Sequence, residues 1–249
     1  MNPCAGCCPR VARPLRGPLT RPLSAVSLLP AERTASTLLR QQSRLGRVIK
    51  RGGDILFSLL VLGLGAPVLL ILALAVKTSS KGSVFYSQRR IGRGYRGFGC
   101  LKFRTMRKDA DRVLAAILAS DPELQAEFER DHKLRNDPRI TPLGKVLRRS
   151  SLDELPQFIN VLRGQMSVVG PRPIVWEELP RYGAAMDEVL AVRPGLTGLW
   201  QVSGRNNLAY SQRVRLDLHY VRHRSVWLDL RIILRTIGVV LLPMDRGAY

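Results

Sequence analysis

The sequence predicts an α+β protein: a mostly helical, membrane-associated domain with a small β-hairpin or sheet and an N-terminal kinked, re-entrant membrane helix. Three observations predict it. Ile55 to Val76 is an uncharged apolar run with Gly63, Gly65 and Pro67 at its centre. Residues 82–104 read as short β-forming runs separated by glycine-rich connections. Much of the remainder places apolar residues at helical spacing.

Taken in order, residues 1–45 read as a disordered basic tail. Pro3, Pro9, Pro14, Pro18, Pro22 and Pro30 interrupt any helix there. An organelle transit peptide has similar composition, but no amphipathic period supports it. Three of the four cysteines, Cys4, Cys7 and Cys8, lie in this tail. They offer half of a zinc site without a second pair at ligand spacing, so reduced thiols are the simpler reading.

Residues 46–80 form the membrane-embedded segment. A helix needs about 20 apolar residues to cross a bilayer, and this run has the length. Pro67 lacks a backbone donor and clashes with the preceding turn, so a kink is expected there. Arg40, Arg44, Arg47, Lys50 and Arg51 precede the run; Lys77, Lys81, Arg89, Arg90, Arg93 and Arg96 follow it. Positive charge favours the cytoplasmic side, so a simple crossing would strand one basic flank. A re-entrant helix keeps both ends cytoplasmic. An ordinary single-pass helix is the alternative.

Residues 81–249 form the remaining domain. Ser83–Tyr86 and Phe98–Phe103 read as strands, joined through Arg89 to Gly97. The glycines of that connection could cradle phosphate, but a hairpin turn is the better reading because no helix follows directly. Asp109 to Leu134 reads as one amphipathic helix, Thr141-Pro142 as the start of another through Arg149, and Leu152 to Leu162 as a third. Tyr210 to Leu242 is helical by pattern. Its mixture of Trp227, leucines and arginines suits either an anionic membrane surface or ordinary packing.

The chain carries 40 Lys and Arg against 19 Asp and Glu, a net charge of +21. Such an excess calls for an anionic partner: nucleic acid, acidic lipid or phosphorylated substrate. No nucleic-acid motif is present. Within this basic field Ser151-Leu152-Asp153-Glu154 matches a capping box, a local structural device. The same geometry suits chemistry. Helix N–H groups and neighbouring arginines would keep Asp153 ionised, as a carboxylate nucleophile requires. Asp153 and Glu154 together could hold Mg²⁺, which takes one or two carboxylates plus substrate phosphates. Lys102, Arg148, Arg149 and Arg172 supply charge for a diphosphate, with Arg172 fixed between Pro171 and Pro173.

From about Lys50 to the C-terminus the chain resembles the bacterial sugar transferase family, small monotopic phosphoglycosyl transferases. The resemblance rests on Lys50-Arg51-Gly52-Gly53-Asp54, Lys102-Phe103-Arg104-Thr105-Met106, Ser151 to Gln157, Val169 to Pro173, Val192 to Gly198, and Trp200 to Arg205. The ending Arg246-Gly247-Ala248-Tyr249 resembles the exopolysaccharide-initiating subgroup. The resemblance implies transfer of a hexose 1-phosphate from a UDP-sugar to undecaprenyl phosphate with Mg²⁺, releasing UMP. Asp153 would attack the β-phosphorus to form a covalent phosphosugar intermediate, and Glu154 would assist through metal binding or proton handling. Lys102, Arg104, Arg148, Arg172 and Arg205 would bind substrate. It further implies a bacterial inner membrane location, a catalytic domain facing the cytoplasm, contact with anionic lipids and no nucleic acid. A homo-oligomer is compatible with it. Glucose and galactose lead as the sugar. In the family the membrane helix breaks at Ser-Pro; here Ala66-Pro67 stands instead. The rival class is a non-catalytic basic membrane-anchored binding or scaffold protein, supported by the charge alone.

Overall fold

The computed structural model describes residues 44–131, 134, 137–204 and 208–241. The tail with its three cysteines, Arg205 and the Arg246–Tyr249 ending lie outside the described residues.

Helix α1 (Arg44–Leu64) and helix α2 (Ala66–Ser79) take up the apolar run and bend by 65° at Gly65. The break lies beside Pro67 rather than at it. Pro67 falls in the first turn of α2, where a missing N–H costs no helical bond. Gly65 is the hinge residue, because a Cβ there would run into the Val61 carbonyl oxygen. Among the described residues no single helix is long and apolar enough to cross a membrane; the bent pair passes that test only when its two helices are taken together, by length and composition alone.

Strands β1 (Phe85–Ile91) and β2 (Gly97–Phe103) form an antiparallel hairpin with Arg90 opposite Phe98 and Tyr86 opposite Lys102. They run further than the sequence pattern indicated, and the connection shrinks to Gly92–Arg96, closed by the Gly92 N–H donating to the Arg96 carbonyl. Gly94 takes φ +65° in that turn, so glycine suits it. The single helix expected over Asp109 to Leu134 is two, α3 (Ala110–Ser120) and α4 (Pro122–Asp131). Pro122 cannot continue a helix, and Asp121 caps the next by accepting from the Glu123 and Leu124 N–H groups.

Helix α5 (Pro142–Ser150) starts where expected, with the Thr141 hydroxyl accepting from the Gly144 N–H at 2.9 Å. The next segment departs from expectation. Ser151 is no helix N-cap: it adopts left-handed φ 59° and terminates α5. Leu152–Glu154 is a 3₁₀ turn, and helix α6 begins only at Gln157 and runs to Leu162. Pro156 is the cause. In a helix running from Leu152 it would forfeit the bond to the Leu152 carbonyl, which the 3₁₀ turn gives instead to the Leu155 N–H.

Strand β3 (Ser167–Val169) pairs in parallel with β4 (Gly195–Thr197). Between them lie the short helices α7 (Leu179–Tyr182) and α8 (Met186–Leu190). Helix α9 (Leu199–Ser203) follows β4. The C-terminal pattern splits at Arg224-Ser225 into α10 (Tyr210–His223) and α11 (Val226–Leu241), the second capped by the Ser225 hydroxyl accepting from the Leu228 N–H.

One core cluster joins Phe98 and Cys100 of β2 to Phe158 and Val161 of α6, Val168 and Val169 of β3, Tyr220 of α10 and Ile232 of α11. Phe57, Val61 and Leu62 of α1 pack on it, so one face of the bent helix pair belongs to the same core as the hairpin and α6. The outer face, including Leu56, Leu59, Leu60 and Leu64, is exposed.

Candidate active site

Three elements converge on one turn. The hairpin supplies Lys102 and Arg90. Strand alternation puts Arg90, Cys100 and Lys102 on one face of it, and these three line a cleft with Glu154, Gln157, Arg172, Pro173 and Gln201. Helix α5 supplies Arg148 from its last turn. The left-handed Ser151 then reverses the chain, so the Leu152–Glu154 turn folds back against hairpin and helix.

Asp153 is 6% exposed. Lys102 Nζ lies 2.6 Å from Glu154 Oε1 and 3.9 Å from Asp153 Oδ2. Arg148 is held by its Nε–H donating to the Thr105 hydroxyl at 2.9 Å, and its charge acts on both Asp153 and Asp137. Burial pushes the Asp153 carboxyl up to about 6; the Glu154 charge adds to this, and Lys102 and Arg148 oppose it. The expectation that helix N–H groups hold Asp153 ionised is therefore corrected. No helix N-terminus lies at this residue. Burial dominates, and the two cations leave Asp153 mostly ionised only at neutral pH and above. For Glu154 burial works against charge, but Lys102, by charge and hydrogen bond, together with Arg172 and Arg90, holds its carboxyl below the usual range.

Arg172 follows β3 and lies over the Trp200 ring at 5.3 Å, with Arg213 over the same ring at 5.1 Å. The buried Asp217 is bonded by the Tyr182 hydroxyl at 3.0 Å. Burial raises the Asp217 carboxyl to about 7, and Tyr182 and the backbone and charge of Arg172 offset this in part. The glycines around Arg172 have a steric reason: a Cβ on Gly170, Gly195 or Gly198 would strike the crossing backbone.

Of the residues singled out from sequence, Asp153, Glu154, Lys102, Arg148 and Arg172 come together. Arg104 does not join them. Its guanidinium donates to the Ser80 carbonyl at 2.6 Å, to the Ser80 hydroxyl at 2.9 Å and to the Ser83 carbonyl. It ties the end of α2 to the hairpin. The Lys50-Arg51-x-x-Asp54 stretch is likewise an anchor. Arg51 donates to the Val161 and Leu162 carbonyls at 2.7 and 3.0 Å, closing the end of α6. Asp54 accepts from Ser167 Oγ at 2.8 Å, the Val168 N–H at 3.1 Å and Lys50 at 2.9 Å. Arg90, Thr105, Gln157, Gln201 and Asp217 were given no site role from sequence, although Thr105, Gln157 and Gln201 lie in stretches that carry the resemblance and Arg90 in the basic flank. For Arg90 a signal existed: its position in the hairpin alternation with Lys102.

Among the described residues no group of three or more His, Cys, Asp or Glu side chains could hold a metal ion. Asp153 and Glu154 fit the sparser mode in which one or two carboxylates share a magnesium ion with substrate phosphates and water. Glu154 already holds Lys102 at 2.6 Å, so a cation there would share its carboxylate with that ammonium or displace it.

A family model described as bacterial sugar transferase matches residues 45–243. An "Uncharacterized sugar transferase" of Haemophilus influenzae is 52% identical over 203 residues, 82% of this chain and 42% of that protein. The "Exopolysaccharide production protein ExoY" of Sinorhizobium fredii is 48% identical over 205 residues, 82% of this chain and 90% of that protein. The "Undecaprenyl-phosphate galactose phosphotransferase" of Salmonella typhimurium is 47% identical over 216 residues, 85% of this chain and 45% of that protein. This chain thus spans less than half of two of these relatives and nearly all of the third. A match of such extent, over the elements that build the cleft, makes the chain a member of the bacterial sugar transferase family.

Proposed function

We propose that the protein transfers a hexose 1-phosphate from a UDP-sugar to undecaprenyl phosphate, the first step in building an exopolysaccharide. The observation that carries this reading is a buried carboxylate, Asp153, set between Lys102 and Arg148 beside a cleft that also holds Glu154, Arg90 and Arg172. Acids have little use on a phosphate-binding face unless one attacks or a metal binds.

An oxygen of Asp153 attacks the β-phosphorus. The bond from that phosphorus to the bridging oxygen breaks, and UMP leaves with the bridging oxygen and its electron pair. Lys102 and Arg172 balance charge on the diphosphate as it separates. A phosphate oxygen of the polyprenyl carrier then attacks the same phosphorus and frees the Asp153 carboxylate. Asp153 and Glu154 would hold Mg²⁺ with the diphosphate oxygens, and the ion's contribution is charge neutralisation there.

The bent helix pair is read as entering and leaving one leaflet, with both basic flanks and the site on the cytoplasmic side of a bacterial inner membrane. Exposed Trp227, Leu230 and Leu234 beside Arg231 and Arg235 on α11 suit contact with anionic lipid. Galactose is favoured by the Salmonella relative's name, with glucose the other candidate.

The test is UMP release from UDP-galactose and UDP-glucose in the presence of undecaprenyl phosphate. Activity is expected to need Mg²⁺, to vanish on chelation, and to fall by at least ~10³-fold in Asp153→Asn. Normal turnover by that variant would exclude Asp153 as the nucleophile.

A further inference from the structure

We infer that Gln157 and Gln201 form a hydrogen-bonding subsite for the nucleotide-sugar donor, distinct in chemistry from the cations that take phosphate. The inference rests on the proposed function.

Both side chains line the cleft that contains Lys102, Glu154 and Arg172. Gln157 is 3% exposed, and Gln201 Oε1 is buried with no hydrogen-bond partner among the described residues. Neither carboxamide makes a side-chain hydrogen bond to any described residue, although both are surrounded by polar groups. Other buried amides in this fold behave differently. Asn160 donates to the Gly99 carbonyl and to Gln165, and accepts from the Leu101 N–H. Buried polar atoms are nearly always paired, so the unpartnered Gln201 Oε1, on a cleft that the Gln157 carboxamide also lines, calls for a ligand.

The chemistry of the two substrates decides which one. A carboxamide oxygen is an acceptor and needs an O–H or N–H donor. Undecaprenyl phosphate offers phosphate oxygens and hydrocarbon, and its phosphate is largely without protons at neutral pH. A UDP-sugar carries hydroxyls on hexose and ribose and an imide N–H on uracil. Only the donor substrate can satisfy these oxygens, while the amide NH₂ groups return hydrogen bonds to its acceptors. Gln157 stands three residues after Glu154 and lines the same cleft, and in the donor the hexose is bonded to the phosphate group that the proposed reaction attacks.

The experiment uses full-length protein with the UDP-hexose that the wild type accepts. Gln201→Leu and Gln157→Leu are each expected to raise the KM for UDP-hexose about tenfold, leaving the KM for undecaprenyl phosphate within about twofold. The inhibition constant of UMP then separates two sources of the donor group. A matching rise means that the amides read uridine; an unchanged constant means that they read the hexose; both support the subsite. An unchanged UDP-hexose KM in both variants would mean that ordered water satisfies the amides, and overturns the inference. A rise only in the undecaprenyl phosphate KM also overturns it. Melting temperatures identify a misfolded variant, and the other glutamine then carries the test. If the wild type releases no UMP from any UDP-sugar, the proposed function fails and takes the subsite with it. An active wild type with unchanged variants removes the subsite alone.

Discussion

Replacing Lys102 with methionine removes one charge and keeps the apolar stem. Lys102 Nζ lies 3.9 Å from Asp153 Oδ2, and its side chain is 25% exposed. At an effective dielectric near 20, such a pair is worth about 4 kcal/mol. One pKa unit corresponds to about 1.4 kcal/mol, which sets an upper bound of about three units. Partial exposure screens the pair, and Glu154 loses its partner at the same time, so a shift of about one to two is expected. The sign is fixed: losing a nearby cation disfavours the ionised carboxylate and raises its pKa. The wild-type profile of kcat/KM against pH, which reports the free enzyme, should fall as pH drops through about 6, where Asp153 takes a proton. In Lys102→Met the same limb should move about one to two pH units higher. Lost phosphate contacts lower the plateau at every pH, but they do not move the limb. An acid limb that stays in place, or moves down, would refute the claim that Lys102 sets the charge state of Asp153.

Asp54→Ala should destabilise the protein by about 2 kcal/mol, because it orphans the buried Val168 N–H and leaves Lys50 only Asp229 and the Ser167 hydroxyl only the Val169 carbonyl. Thermal unfolding checks it; a loss under about 1 kcal/mol would mean that the latch is ornamental. If the bent pair is re-entrant, a tag ahead of Arg44 and another between Ser79 and Ser83 should both resist a membrane-impermeant periplasmic label. Labelling of the first tag alone would make the pair a single crossing.

What the sequence revealed of the site was its composition, and what it concealed was its geometry. Asp153, Glu154, Lys102, Arg148 and Arg172 stood out as charges in short unusual stretches; Lys102, Glu154 and Arg172 line one cleft, and Asp153 is buried beside it within reach of the Lys102 and Arg148 charges. The helix cap around Ser151 did not survive, although its reason lies three residues beyond Asp153: Pro156 has no N–H for the Leu152 carbonyl in a helix running from Leu152. In one dimension Arg104 reads as a substrate ligand and Arg51 as one charge of a basic flank. Only the fold shows their guanidinium groups spent on backbone carbonyls at the ends of α2 and α6. Gln157 and Gln201 lay inside stretches that carry the family resemblance but received no role, because an uncommitted amide is recognised by partners it lacks in three dimensions.

The 3₁₀ turn also explains how adjacent carboxylates come to differ. With three residues per turn, neighbouring side chains point about 120° apart. Asp153 turns into the protein, between Lys102 and Arg148, whereas Glu154 turns to the cleft, toward Lys102, Arg90 and Arg172. One carboxyl is raised by burial and the other is lowered by three cations. Paired carboxyls whose environments separate them suit different tasks. The more basic Asp153 is the better nucleophile, and it is still mostly ionised at neutral pH. Glu154, held anionic, is a poor proton carrier there and a good partner for a divalent cation or for Lys102.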